Sequence, residues 1–266
     1  MIESPKIEVE AIHIAPVKSL ALVSPASVYA GVAGIEEDRR FYLIDAGGAL
    51  LTQRQAGTLA QVRAQYQLDP ESLKLSFPDG TVIEGPVETG EPVLTQIWGR
   101  QVTGHQARGD WNKVLSKFCG QTVTLIKPRQ PGECFDEFPI SILSSASVEM
   151  LGQRPEVGLA LDHRRFRPNL LLSGCQAHQE DSWLGESIRI GEDLVLRVVA
   201  PDPRCAITTL DPDTGTPDFD TPSAIRAYRP NSRAAYFGVY AVVEQPGNVS
   251  LGDTVIGPGV VGPGDR

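Results

Sequence analysis

Lys6-Ile7-Glu8-Val9-Glu10-Ala11-Ile12-His13-Ile14 alternates polar and apolar side chains. A period of two sends successive side chains to opposite faces, so this stretch reads as a half-buried β-strand. The pattern recurs outward along the chain. Residues 41–45 and 49–52 flank Ala46-Gly47-Gly48, and residues 73–77 and 81–84 flank Pro78-Asp79-Gly80. Both are hairpins by their turn chemistry. Strand character returns at 121–127, 169–173, 187–190, 193–200, 204–210 and 235–244, and 249–256 reads as a last short hairpin.

Helical signals are few. Asp110 can cap 111–119, with Trp111/Leu115 and Val114/Phe118 four apart and Gly120 as the stop. Ser144 or Ser145 can cap a helix running to Leu151, and Thr221-Pro222 opens a third that ends before Pro230. Glycine (26) and proline (21) make up nearly a fifth of the 266 residues, which favours many short strands over a helical bundle. The fold class is therefore mainly β with a few short helices (α+β). The polar seam Pro128-Arg129-Gln130-Pro131-Gly132-Glu133 divides two β-rich halves, 1–127 and 128–266.

The formal net charge of −9 argues against a nucleic-acid polymer or an anionic membrane as partner. No apolar run approaches the roughly 20 residues needed to span a bilayer, and the acidic start resembles no signal peptide, so the expected compartment is the cytoplasm. The four cysteines, Cys119, Cys134, Cys175 and Cys205, form no CxxC pair. No disulfide framework, zinc site or iron–sulfur cluster is expected from them. Asp211-Pro212-Asp213-Thr214-Gly215 reads as a turn, because it lacks the glycine and terminal glutamate of a calcium loop.

Against the acidic background, cations come in clumps at strand ends. These are Lys18-Ser19, Asp38-Arg39-Arg40, Gln53-Arg54-Gln55 and Arg164-Arg165-Phe166-Arg167-Pro168-Asn169. Guanidinium forks suit phosphate oxygens, so several such groups could converge on one anionic ligand; separately, each could equally pair with surface carboxylates. Cys205 follows Arg204, a setting that favours a thiolate, which can serve as a soft metal ligand or a nucleophile; a structural thiol is the other reading.

Taken in order, these segments resemble the MOSC (molybdenum cofactor sulfurase C-terminal) family. Pro16-Val17-Lys18-Ser19, Asp38-Arg39-Arg40-Phe41 and Leu51-Thr52-Gln53-Arg54-Gln55 look like its N-terminal β-barrel domain. Phe166-Arg167-Pro168-Asn169, Glu180-Asp181-Ser182-Trp183 and Arg204-Cys205-Ala206-Ile207-Thr208-Thr209-Leu210-Asp211-Pro212-Asp213-Thr214-Gly215 look like the MOSC domain, as do Phe237-Gly238-Val239-Tyr240 and Gly252-Asp253. The resemblance covers nearly the whole chain and is similar in pattern to amidoxime-reducing components. It implies two β-barrel-like subdomains and a molybdenum–molybdopterin cofactor (Moco). By carry-over, Cys205 is the thiolate on molybdenum and the catalytic residue. Lys18, Ser19 and Arg39 would hold the phosphate, with Arg54 in the same cationic set. Ser144 or Ser145 and Arg167 would contact the pterin, with Asn169 and Arg204 nearby.

The implied activity is reduction of small N-hydroxylated substrates (amidoximes, hydroxylaminopurines) to amines. The chain ends at Arg266 without a cysteine cluster, so electrons are expected from a separate ferredoxin-, flavin- or cytochrome-type donor. Two other readings use the same cysteine: a persulfide sulfur carrier, or a carrier of the cofactor without catalysis.

Overall fold

The alternating segment that opens the chain forms strand Glu8–Ile12 and pairs antiparallel with Leu170–Ser173. Its register shifts between Val9 and Ala11, which moves the buried positions from one phase of the alternation to the other, so that Val9 and Ile12 both face the core. The structure, a computed structural model, describes residues 6–155, 157–229 and 234–258; the chain end at Arg266 and Pro230 lie outside the described residues.

Seven strands make the largest sheet. Their order is Glu8–Ile12, Leu170–Ser173, Ile140–Ser144, Ala235–Gln245, Leu194–Arg204, Ser187–Ile190 and Val255–Ile256. Among the described residues, Ile140–Ser144 and Leu170–Ser173 are the parallel neighbours of this sheet. The two outer strands meet: Val9 N–H donates to Asp253 O (2.9 Å) and Val255 N–H to Ile7 O (2.8 Å). That contact nearly closes the sheet into a barrel filled by Ile12, Ile140, Ile142, Leu172, Leu196 and Val239, all at most 1% exposed. Full burial of each such side chain contributes roughly 1.5–3 kcal/mol.

A five-stranded sheet, in the order Leu50–Leu51, Tyr42–Ile44, Thr124–Pro128, Arg100–Ala107, Thr89–Ile97, builds the other body with the meander Arg63–Gln67, Ser72–Ser76, Val82–Pro86. Leu20, Phe41, Leu59, Leu75, Leu115 and Leu125 fill its interior. Helix Trp111–Cys119 lays Trp111 and Leu115 on that core and ends at Gly120 with left-handed backbone (φ 65°), as its spacing predicts.

Two segments before residue 127 sit in sheets with strands from beyond 128. They are Glu8–Ile12 and the pair Ser27–Gly31/Gly34–Ile35, which binds Gly247–Ser250. The two bodies are thus laced together by the start of the chain. They also touch backbone to backbone, since a methyl group at Gly57 would collide with the carbonyl oxygen of Gly215.

Three sequence expectations are corrected. The strand expected over 204–210 stops at Arg204, and Ala206–Thr209 is a 3₁₀ turn in which Thr208 and Thr209 hydroxyls donate back to Cys205 O and Ala206 O. Those local bonds outweigh the strand preference of Ile-Thr-Thr. Residues 249–256 are not one hairpin, because Gly247–Ser250 and Val255–Ile256 pair with different strands. Asp110 precedes its helix, but its side chain makes no capping bond.

Candidate functional site

A cavity of about 410 Å³ opens where the two bodies meet. Six sequence-predicted residues line it: Arg39, Arg54, Arg167, Asn169, Arg204 and Cys205. The backbone is bent to bring them there. Arg39 (φ 48°) and Arg167 (φ 51°) adopt left-handed conformations, as does Ser19 (φ 71°) beside them. Each such residue costs about 1–3 kcal/mol, and the strain is concentrated at this one place.

One buried carboxylate organises the floor. Asp38, 7% exposed, accepts from Ala15 N–H (2.7 Å), from the Arg39 guanidinium and from Asn169 Nδ2 (3.1 Å). Asn169 also donates to His13 O (3.2 Å) and accepts from Ser141 N–H (3.0 Å). Strand exit, cation clump and the Arg-Pro-Asn motif are thereby fixed to one another.

Lys18 does not line the main cavity but reaches its edge. It is 4% exposed, and its Nζ donates to Asp136 Oδ1 (2.7 Å), which does line it. Burial lowers the Lys18 pKa, and Asp136 opposes that. Partial desolvation at the cavity edge works against ionised Asp136, but Lys18 and then Arg39 outweigh it and hold the carboxyl well below its usual range. Arg167 differs from its neighbours. Its Nη2 donates to the Leu20 carbonyl (2.8 Å), and among the described residues it forms no ion pair. Burial, then Arg39, pulls its pKa down to about 10, so it stays cationic at neutral pH.

Cys205 is half-buried at the end of strand Leu194–Arg204, and Arg54 Nη2 donates to its sulfur (3.1 Å). The same guanidinium lies over the Trp98 ring, 4.6 Å from its centroid. Arg204 is at the wall, with Nε committed to Phe237 O and Nη1 to Phe166 O (2.7 Å each), while Nη2 lies 2.8 Å from Asp202 without a hydrogen bond. It braces the strand end that presents the sulfur.

Ser144 and Ser145 are not brought to the cavity. Ser144 Oγ caps helix Ser145–Gly152 by accepting from Ser147 N–H, and Ser145 Oγ donates to Leu172 O. Ser141, at the other end of the same strand, lines the cavity instead. Sequence reasoning also missed Trp98, Arg100, Asp136, Asp202 and Tyr240. Asp136 escapes sequence reasoning because its partner Lys18 lies 118 residues away. Among the described residues no group of three or more His, Cys, Asp or Glu could hold a metal, and no helix is long and apolar enough to cross a membrane.

Comparison with known proteins agrees with this architecture. Residues 6–122 match the MOSC N-terminal beta barrel domain and residues 104–256 the MOSC domain. The chain is 29% identical to "Mitochondrial amidoxime-reducing component 1" of Homo sapiens, over 91% of this chain and 80% of that one. It is 28% identical to "Mitochondrial amidoxime reducing component 2" of Bos taurus, over 93% and 82%. Among solved structures, the YUAD protein of Bacillus subtilis covers 94% of each chain at 14% identity and TM-score 0.44. The chain belongs to the MOSC domain family, with the family's N-terminal β-barrel domain in front, and is a distant relative of the mitochondrial amidoxime-reducing components.

Proposed function

We propose that the chain is a Moco-dependent oxidoreductase that reduces N-hydroxylated compounds to amines. The observation that carries the reading is the pairing of a half-buried sulfur, Cys205, with a part-buried guanidinium, Arg167, that forms no ion pair among the described residues, in one cavity. A soft thiolate suits molybdenum, and a part-buried guanidinium without an ion pair of its own suits an anionic pterin phosphate, so the residues present fit the group. Cys205 would bind the metal through its sulfur. Lys18, Arg39 and Ser19 would hold the phosphate end, and Arg167 and Asn169 the pterin side. When bound, the cofactor supplies two-electron oxygen-acceptor chemistry.

The chain's own residues do the rest. Arg54 keeps a positive charge against the Cys205 sulfur. Arg204 fixes the strand end, and Trp98, Phe138 and Tyr240 narrow the space around the reacting group. In the net reaction the N–O bond breaks, the nitrogen keeps its substituents and gains a proton, and the oxygen leaves as water. Two protons and two electrons are consumed, the electrons coming from a separate redox protein of ferredoxin, flavin or cytochrome type.

The test is turnover of benzamidoxime with a chemical reductant, using protein made in a cofactor-producing host. Cys205→Ser should fold normally and lose turnover; wild-type rates in that variant would refute the assignment. The Arg54–Cys205 contact also favours a second reading, a persulfide carrier, because a guanidinium stabilises a persulfide anion as well as a thiolate. That reading predicts cyanide-releasable sulfur on Cys205 and sulfur transfer without metal.

A further inference from the structure

Asp136 stands in front of the two cations proposed to hold a phosphate. The Lys18 side chain is 5% exposed and that of Arg39 11%, whereas the Asp136 side chain is 47% exposed. An anion approaching from solvent therefore meets this carboxylate before it meets Lys18 or Arg39. One oxygen of Asp136 takes the Lys18 ammonium (2.7 Å) and Trp98 Nε1–H (3.2 Å), and the other lies 3.8 Å from Arg39 Nη2.

The carboxylate is held differently from Asp38. Asp38 is locked by a backbone amide and Asn169. The backbone around Asp136 is held from the side, where Arg100 donates to the carbonyls of Phe135 (2.6 Å) and Asp136 (2.8 Å). Its side chain can therefore turn away while the loop stays in place.

Charge accounting follows. Lys18, Arg39 and Arg167 against Asp38 and Asp136 leave one positive charge; without Asp136 they leave two. A phosphate monoester brings two negative charges at neutral to alkaline pH and a diester brings one.

We infer that Asp136 sets the anion selectivity of this cradle: its carboxylate competes for Lys18 and Arg39, and a phosphate monoester displaces it where a diester does not. The inference rests on the reading of Lys18 and Arg39 as a phosphate anchor and names the kind of phosphate they accept. Displacement also breaks the Trp98–Asp136 hydrogen bond, which gives the event an optical signal. Trp98 is 44% exposed, while Trp111 and Trp183 are each 3% exposed and sit in the two hydrophobic cores.

The test uses the full chain at pH 8 with glycerol 3-phosphate as monoester and dimethyl phosphate as diester. Binding is read by calorimetry and displacement by tryptophan fluorescence, with Trp98→Phe as the optical control. Wild-type protein should bind the monoester with a Trp98-dependent change and ignore the diester. Asp136→Asn should bind the monoester about tenfold tighter and admit the diester. Asp136→Ser serves as a second variant should the first fold poorly. Weaker or unchanged monoester binding in both variants would show that the carboxylate only positions the cations, and would overturn the inference while leaving the anchor standing. Monoester binding that survives Lys18→Met and Arg39→Met would instead remove the anchor and the inference with it, as would failure of wild type and Asp136→Asn alike to bind the monoester.

Discussion

Replacing Asp38 tests how the site is tied to the fold. In Asp38→Asn the side chain keeps its volume, and its oxygen can still accept from Ala15 N–H. The amide end then turns a donor toward Arg39 and Asn169 Nδ2, both donors themselves. Two bonds are lost, both to the Asp38 carboxylate, at about 1.5 kcal/mol each, the low end for bonds to a charged group. The sum is about 3 kcal/mol. Asp38→Ala also orphans the buried Ala15 amide, which adds about 1–3 kcal/mol. At about 2–4 °C per kcal/mol for a chain of this size, Asp38→Asn should lower the Tm by about 6–12 °C, and Asp38→Ala by several degrees more. Differential scanning calorimetry of the three proteins checks the order. Both variants melting within about 2 °C of wild type would refute the claim that this carboxylate ties the bodies at the cavity floor.

Other perturbations probe other links. His13, 3% exposed and 3.0 Å from His163, has its pKa lowered to about 4, first by burial and then by His163. The native state therefore refuses a proton that the unfolded chain takes up below about pH 6.5, so stability falls between pH 6.5 and 4, by about 3 kcal/mol from this residue. His13→Gln should flatten that slope in urea unfolding; an unchanged slope would exclude His13 as its source. Gly57→Ala should drive its methyl group into Gly215 O and cost about 3 kcal/mol or more, measured as a drop in the urea midpoint, and a neutral effect would mean the contact between bodies is loose. Iodoacetamide should label Cys205 first, because burial pushes the Cys134 and Cys175 thiols up to about 12. Arg54→Leu should slow that labelling several-fold, and unchanged kinetics would show that the guanidinium does not activate the sulfur.

Much of this fold is legible in local chemistry. Gly120 ends its helix in the left-handed conformation that its identity invites, and Pro78-Asp79-Gly80 turns between two strands. The Asp-Pro-Asp-Thr-Gly stretch is the turn it reads as, with Asp211 Oδ1 accepting from Asp213 and Thr214 amides. What stays hidden is nonlocal or phase-shifted. The strands Thr89–Ile97 and Arg100–Ala107 have a weak polar–apolar contrast, with Leu94 61% exposed, and turn through Trp98-Gly99 rather than the Asn-Gly that marks such a hairpin.

At the site, the clumped arginines announce an anion-binding wall, but their partners do not. Asp136 meets Lys18 from 118 residues away, and nothing near either residue encodes that meeting. Ser144 carries two readings, helix cap and ligand contact. The cap is present in the fold, because its geometry needs only the next three residues.

The sulfur of Cys205 is where fold, electrostatics and proposed chemistry converge. Molybdenum K-edge absorption of protein from a cofactor-producing host, wild type beside Cys205→Ser, interrogates it most directly. The prediction is bound molybdenum and pterin in equal amounts, with one sulfur scatterer fewer in the variant. Identical sulfur shells in the two proteins, or wild-type protein free of both molybdenum and pterin, would contradict it.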